Sequence, residues 1–237
     1  MKKFFTIVIL TIGFCNTSKA EEMGYEFSGL VSTSVWDKYL LFQVPVVVSD
    51  QPSLQSLLVI NLPHGFNASI WSSEDLGGTS AGDEIDLNLG WAHKILGFNF
   101  NTGVGIWNVN PTASVWDDIV TAHVTFGKDF VVWDEVATSW YIQPRYYHTS
   151  NNFLGNGWNI STGINARFPV ADKVSVDVNP FMSYDDGFGV TPGLYFGSNL
   201  TLNLELNDTT TLFFSTRALT GQGNSEIAGG VGISMKF

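Results

Sequence analysis

Apolar and polar residues trade places one by one along most of this chain, and that period limits what it can fold into. In 83–91, Ile85, Leu87, Leu89 and Trp91 alternate with Glu84, Asp86, Asn88 and Gly90. In 98–107, Phe98, Phe100, Thr102, Val104 and Ile106 alternate with Asn99, Asn101, Gly103 and Gly105. Val174, Val176, Val178, Pro180 and Met182 share one parity, with Ser175, Asp177 and Asn179 between them. The run 194–206 repeats the pattern with leucines against Asn199, Thr201, Asn203 and Glu205. Side chains on a strand point to opposite faces in turn, so this period means strands with one apolar and one polar face. No helical periodicity of comparable clarity competes. Runs bounded by turn residues give about twelve strands, at 25–36, 52–62, 65–74, 83–92, 97–107, 116–126, 130–147, 157–168, 173–184, 191–206, 209–219 and 225–237.

The connections alternate too. Pro63-His-Gly, His93-Lys-Ile, Gly127-Lys-Asp, Pro169-Val-Ala-Asp and Asn207-Asp are short. Trp36 to Gln51, Glu74 to Gly82, Asn108 to Val115, His148 to Asn156, Asp185 to Gly189 and Thr220 to Asn224 are mostly longer and polar or glycine-rich. Short turns on one side and longer loops on the other are the habit of outer-membrane barrels, and an even strand count puts both termini on one side. In hydrocarbon an open edge would leave N–H and C=O groups unpaired, so only closure is stable. The expected fold is therefore all-β, a closed antiparallel transmembrane β-barrel of about twelve strands, whose last strand pairs with its first. On that last strand Val231, Ile233, Met235 and Phe237 face lipid, and Gly230, Gly232, Ser234 and Lys236 face inward. A C-terminal aromatic on such a strand is a feature of outer-membrane assembly signals.

The N-terminus reads as an export signal. Lys2 and Lys3 precede an apolar run from Phe4 to Phe14, and Ser18-Lys-Ala20 offers a small-x-small cleavage site. The run is too short for a spanning helix, which needs roughly 20 residues. The expected organisation is a signal peptide over 1–20 and one barrel over 21–237. A lipidated cysteine needs a small residue before it, and bulky Phe14 precedes Cys15. Cleavage after Ala20 would leave no cysteine, so neither disulfides nor thiolate-held metals are expected. It would also remove Lys2, Lys3 and Lys19, leaving eight Lys and Arg against 22 acids, a net charge of −14. Nucleic acid, which needs cations to displace its counterions, is excluded as a partner. Only 14% of residues are charged, where a soluble domain carries about 25%.

Several charges fall on the polar parity: Asp86, Arg145, Arg167, Asp177, Glu205 and Arg217. Facing a lumen, they are candidate pore-lining residues that either tune which solutes pass or pair to lock the lumen shut. A narrow channel and a plugged lumen both fit a barrel of this size. His123 reads as a hydrogen-bonded lumen residue. Trp71 and Trp107 point inward, and the other tryptophans suit an interfacial girdle. Asp83, Glu84, Asp86, Asp185 and Asp186 could gather a cation at a loop, but they lack the spacing of a calcium loop and read as solvated turn acids. No metal site or cofactor is expected. The run His148-Thr-Ser150-Asn151 resembles the His-x-Ser-Asn of outer-membrane phospholipase A and the lipid A deacylases. It raises a lipid-modifying esterase as an alternative, with His148 as base for Ser150. The outward positions of the next strand, Trp158, Ile160 and Thr162, supply no orienting carboxylate, so an enzyme is not expected. A structural or surface-interaction barrel with a closed lumen is the other alternative.

Four segments carry a family resemblance. Phe27-Ser-Gly-Leu-Val-Ser-Thr-Ser-Val-Trp-Asp-Lys-Tyr39 resembles an opening strand with its turn. Pro52-Ser-Leu-Gln55 is similar to the approach to a second strand, and Gly65-Phe-Asn-Ala-Ser-Ile-Trp-Ser72 and Gly82-Asp-Glu-Ile-Asp-Leu-Asn-Leu-Gly90 to two further strands. All four resemble the TorF family of outer-membrane porins, while the later half matches in layout only. Where that family has Arg-Gly after the opening turn, Leu40-Leu-Phe-Gln stands here. The resemblance implies a small barrel of the outer membrane passing small solutes, and names no substrate. The expected partners are outer-membrane lipids and lipopolysaccharide, small solutes, and the barrel-assembly machinery through the strand ending in Phe237.

Overall fold

The computed structural model describes residues 27–41, 43–78, 83–109, 118–132, 136–149, 155–188 and 191–237. The expected signal peptide lies outside them. The elements in chain order are β1 (Ser28–Trp36), β2 (Tyr39–Leu40), β3 (Val47–Ser49), β4 (Ser53–Asn61), β5 (Phe66–Asp75), β6 (Glu84–Ile95) and β7 (Phe98–Val109). They continue as β8 (Asp118–Val131), β9 (Ala137–Thr149), β10 (Gly157–Ala171), β11 (Val174–Asp185), β12 (Gly193–Glu205), β13 (Thr210–Gly221) and β14 (Asn224–Lys236). Twelve of these close into a barrel in which every neighbour in sequence is a neighbour in space, and β14 pairs with β1. The remaining two, β2 and β3, form a small separate ribbon.

The facing follows the alternation. On β6 and β7, Leu87, Leu89, Val104 and Ile106 are about half exposed on the outside, where lipid would cover them. Their odd-man neighbours Glu84, Asp86 and Trp107 are buried within. At the seam Val31 lies opposite Met235, Thr33 opposite Ile233 and Val35 opposite Val231. Closure there depends on close approach, since a Cβ on Gly230 would come 2.6 Å from the inward indole of Trp36. Aromatic side chains band the outside at the short-turn end: Trp91 meets Phe100 at 5.9 Å, Phe98 stacks on Phe126 at 4.8 Å, and Phe126 meets Trp140 at 5.8 Å. Such rings fit the headgroup level, where one edge is wet and the rest apolar.

Several connections differ from the sequence reading. The turn expected at Pro169-Val-Ala-Asp lies at Asp172-Lys173, because β10 runs on to Ala171. The turn expected at His93-Lys-Ile lies at Leu96-Gly97, and β8 runs through Gly127 to Val131 before it turns. The loop expected from Thr220 to Asn224 is a two-residue hairpin, Gln222-Gly223, with φ of 51° and 82°. Left-handed values at both central residues match the twist of a tight hairpin, and glycine adopts them without a steric penalty.

The facing yields a paired prediction. Leu200→Arg places a cation against lipid midway along β12 and should cost roughly 2–4 kcal/mol. Thr201→Arg, one residue on, points into the lumen and should leave the urea midpoint of the folded band on a gel close to wild type. Equal destabilisation by both would reject the assigned faces.

Candidate functional site: a constriction built by the first long loop

β1 ends at Trp36, and the chain then turns back into the barrel. Asp37 fixes the turn: its N–H donates to the carbonyl of Gly229 on β14, and its Oδ1 accepts from the Gly229 N–H, each at 2.9 Å. Lys38 pairs with Glu226 at 2.7 Å, and this bond holds the ammonium above its ordinary pKa. From there β2 and β3 run inward as a ribbon. The Tyr39 hydroxyl donates to Glu84 Oε2 on β6 at 2.5 Å, and its ring lies 5.6 Å from that of Trp71 on β5. Leu40 is buried against Phe181 on β11, Leu219 on β13 and Ala228 on β14, with Trp36, Val47 and Tyr141 around them. Burying one leucine in this way is worth about 1.5–3 kcal/mol.

The tip of the loop crosses the lumen. The carbonyl of Gln43 accepts a hydrogen bond from Ser183 Oγ on β11 at 3.1 Å, and Val44 is buried. Gln43 takes a left-handed φ of 61°, which reverses the chain within a short turn closed by Val46 N–H donating to Val44 O and Leu41 N–H to Val46 O. The return arm ends on the wall where Ser49 Oγ donates to Asp75 Oδ2 at 3.1 Å. One loop therefore touches β5, β6, β11, β13 and β14, strands on both sides of the lumen.

The start of the β11–β12 connection also folds inward. Phe188 stacks on Tyr147 with rings 4.0 Å apart, and Trp107 and Ile119 complete the cluster. Asp185 orders this turn by accepting the N–H groups of Gly187 and Phe188 at one oxygen and the Asn159 amide at the other.

The space that remains lies on either side of the first loop. On one side is a cavity of about 260 Å³ where Glu84 and Asp86 on β6 share a wall with Tyr39 and Trp71, and Arg145 and Arg217 stand among the other lining residues. Arg145 lies 5.4 Å from the Trp107 ring, and Arg217 lies 5.8 Å from the Trp36 ring. On the other side a cavity of about 300 Å³ runs under Gln43, lined by Thr125, Tyr141, Gln143 and Phe181, three asparagines and again Arg217. Those asparagines form a belt: Asn165 Nδ2 donates to Ser139 Oγ, Asn179 Nδ2 to Asn165 Oδ1, Asn199 Nδ2 to Asn179 Oδ1, and Arg217 Nε to Asn199 Oδ1, all at 2.8–3.3 Å. Wider space of about 630 Å³ opens toward the short-turn end beside Asp129, Arg167 and Asp177.

Of the six pore-lining candidates, Asp86, Arg145 and Arg217 meet at the constriction. Arg167 and Asp177 instead form a bidentate pair of 2.6 and 2.7 Å nearer the short-turn end, joined by Asn203. Glu205 is exposed at the end of β12. His123 hydrogen-bonds Asn101 at 2.9 Å within the lumen. The acids read as solvated at turns are engaged: Glu84 and Asp86 are buried, Asp83 accepts the Asp75 N–H, and Asp186 accepts the Trp158 N–H. Among the described residues no three acids or histidines gather as metal ligands. Ser150 and Asn151 of the esterase motif lie outside the described residues. Asn156, at the other end of that loop, accepts the Thr149 N–H at 2.9 Å.

Sequence reasoning marked 36–51 as a long connection but did not place it inside the lumen. Its signal was present: Leu40, Leu41, Val44, Val46, Val47 and Val48 make 37–52 far too apolar for a connection bathed in water.

Three solved structures share this fold over nearly their whole length. KdgM porin in complex with disordered oligogalacturonate matches with a TM-score of 0.58 at 11% identity, covering 89% of this chain and 99% of that one. NanC porin matches at 0.56 and 9% identity, covering 90% and 100%. A bacterial polysaccharide outer membrane secretin matches at 0.56 and 6% identity, covering 89% and 97%. At these identities the likeness is one of fold, and its bearers include small outer-membrane porins. No protein-family model matches the chain, and no curated protein matches it in sequence.

Proposed function

We propose that this chain is a porin-type channel of the outer membrane, passing small polar solutes through a lumen narrowed by its first long loop. The observation that carries the reading is the constriction. Buried acids on β6 and the arginines of β9 and β13 line one cavity beside an inserted loop, and a second polar cavity continues beneath it. A filler built only for stability has little reason to hold charges of both signs, whose desolvation is costly. The likeness in fold to KdgM and NanC porins, and the TorF resemblance of the first four barrel strands, support the same reading. Export by an N-terminal signal, assembly through the strand ending in Phe237, and contact with outer-membrane lipids and lipopolysaccharide belong to it.

A second reading has an observation of its own. Leu40, Val44 and the Phe188–Tyr147 stack fill much of the lumen, as a closed structural barrel would require. Purified protein in a planar bilayer separates the two. Discrete conductance steps are expected; a silent membrane at every voltage, with folded barrel inserted, would favour the closed barrel.

A further inference from the structure

Apart from Arg217, the cavity beneath the loop tip is lined by side chains that carry no charge. Asn88, Asn99 and Asn101 face inward from β6 and β7, and Gln143 from β9. The belt of Asn165, Asn179 and Asn199 sits on three successive strands in direct register, Asn179 opposite Asn199 and Asn199 opposite Arg217. A carboxamide offers two donors and an oxygen with two lone pairs. Each belt oxygen accepts one bond from its neighbour, which fixes the amide plane and leaves a second lone pair for the lumen. Gln43 brings another amide from the loop tip above.

Two rings complete the same cavity. Tyr141 and Phe181 line it beside the amides. Amides that both donate and accept, next to an aromatic face, match a ring that carries hydroxyls at its rim and C–H bonds on its face. The size also fits, since small-molecule sites run from about 300 to 1,000 Å³.

Charge decides the kind of ring. No carboxylate lines this cavity among the described residues, and Arg217 is its one cation. That guanidinium is already engaged by Asn199 and by the Trp36 face, and it shares the neighbouring cavity with Glu84 and Asp86. An anionic sugar would have to approach those acids in a chain that carries twice as many acidic as basic residues.

We infer that the cavity beneath Gln43 is a binding subsite for neutral carbohydrate, one pyranose ring at a time, held by the Asn165–Asn179–Asn199 belt beside the partly buried Tyr141 ring. This rests on the channel reading and names its substrate class.

The test uses the full-length protein with a neutral glucose trimer and a galacturonate trimer of equal length. In a planar bilayer the neutral trimer should block the ion current at a half-blocking concentration about tenfold below that of the acidic one. Asn165→Leu/Asn179→Leu/Asn199→Leu should weaken the block by about tenfold or more while ions still pass. If that triple variant does not fold, Asn179→Leu alone should weaken the block several-fold. Equal or tighter block by the acidic trimer, or belt variants that block like wild type, would overturn the subsite. Tryptophan fluorescence in detergent separates its failure from that of the channel, because Trp36, Trp71 and Trp107 line the lumen. A silent bilayer with saturable quenching by the neutral trimer keeps the sugar site and removes the channel; neither current block nor quenching removes the site.

Discussion

Replacing residues 40–47 by a short Gly-Ser linker should raise the single-channel conductance several-fold and leave the barrel folded. The loop spans the lumen from the Glu84 wall to the Ser183 wall, so the cavities above and below it would merge. The barrel itself should survive, because the ladder from β1 through β4 to β14 closes without β2 and β3. The excision forfeits the burial of Leu40 and Val44 and the β2–β3 pairing and lowers stability, but no hydrogen bond of the barrel ladder is lost. Conductance measured beside heat-modifiable gel mobility checks both parts. A folded variant with wild-type conductance would mean that the loop is not the narrowest point. Leu40→Asp is a milder version with the same direction, because a carboxylate among Phe181, Leu219 and Ala228 would be costly to desolvate.

Ion preference should follow the charges at the same place. Glu84→Gln/Asp86→Asn leaves Arg145 and Arg217 without their acidic counterparts and should shift the reversal potential in a salt gradient toward anions. Arg145→Gln/Arg217→Gln should shift it toward cations, and the gap between the two variants should be at least several-fold in permeability ratio. The effect should shrink as salt rises, since the screening length falls from about 30 Å at 0.01 M to about 3 Å at 1 M. Identical selectivity in all three proteins would show that permeating ions do not pass this cavity. By contrast, neutralising the Arg167–Asp177 pair should change selectivity less, because its charges already cancel in a bidentate bond where the lumen is wide.

The barrel was legible because its physics is local and repetitive. Each strand carries its own lipid-facing record in residues such as Leu87 and Leu89 or Leu200 and Leu202, and each of the twelve expected spans overlaps a barrel strand. Errors fell where one residue type has two uses. Gly127 suggests a turn, yet it lies within β8, where its missing side chain lets the Trp140 carbonyl approach to 2.4 Å of its would-be Cβ. The site was less legible because it depends on register between strands far apart in sequence. Parity placed Asp86, Arg145 and Arg217 inside but gave no reason to join them, while Arg167 and Asp177 looked equivalent and pair elsewhere. The asparagine belt needed Asn179 and Asn199 to be cross-strand partners. The departure from the TorF pattern at Leu40-Leu-Phe-Gln pointed to the loop most directly, since Leu40 and Gln43 in that stretch are what the lumen holds.

The loop also has a place in time. Its anchors are among the most distant contacts in the chain: Gln43 to Ser183 spans 140 residues, Lys38 to Glu226 spans 188, and Asp37 to Gly229 spans 192. Contacts of such separation form late, because the entropy of closing the intervening chain must be met first. The tip cannot dock until β11 and β13 are in place, and the turn at Asp37 cannot lock until β14 has sealed the wall. An undocked, wider barrel is therefore the expected early stage of maturation, and conductance should fall with time after a molecule inserts.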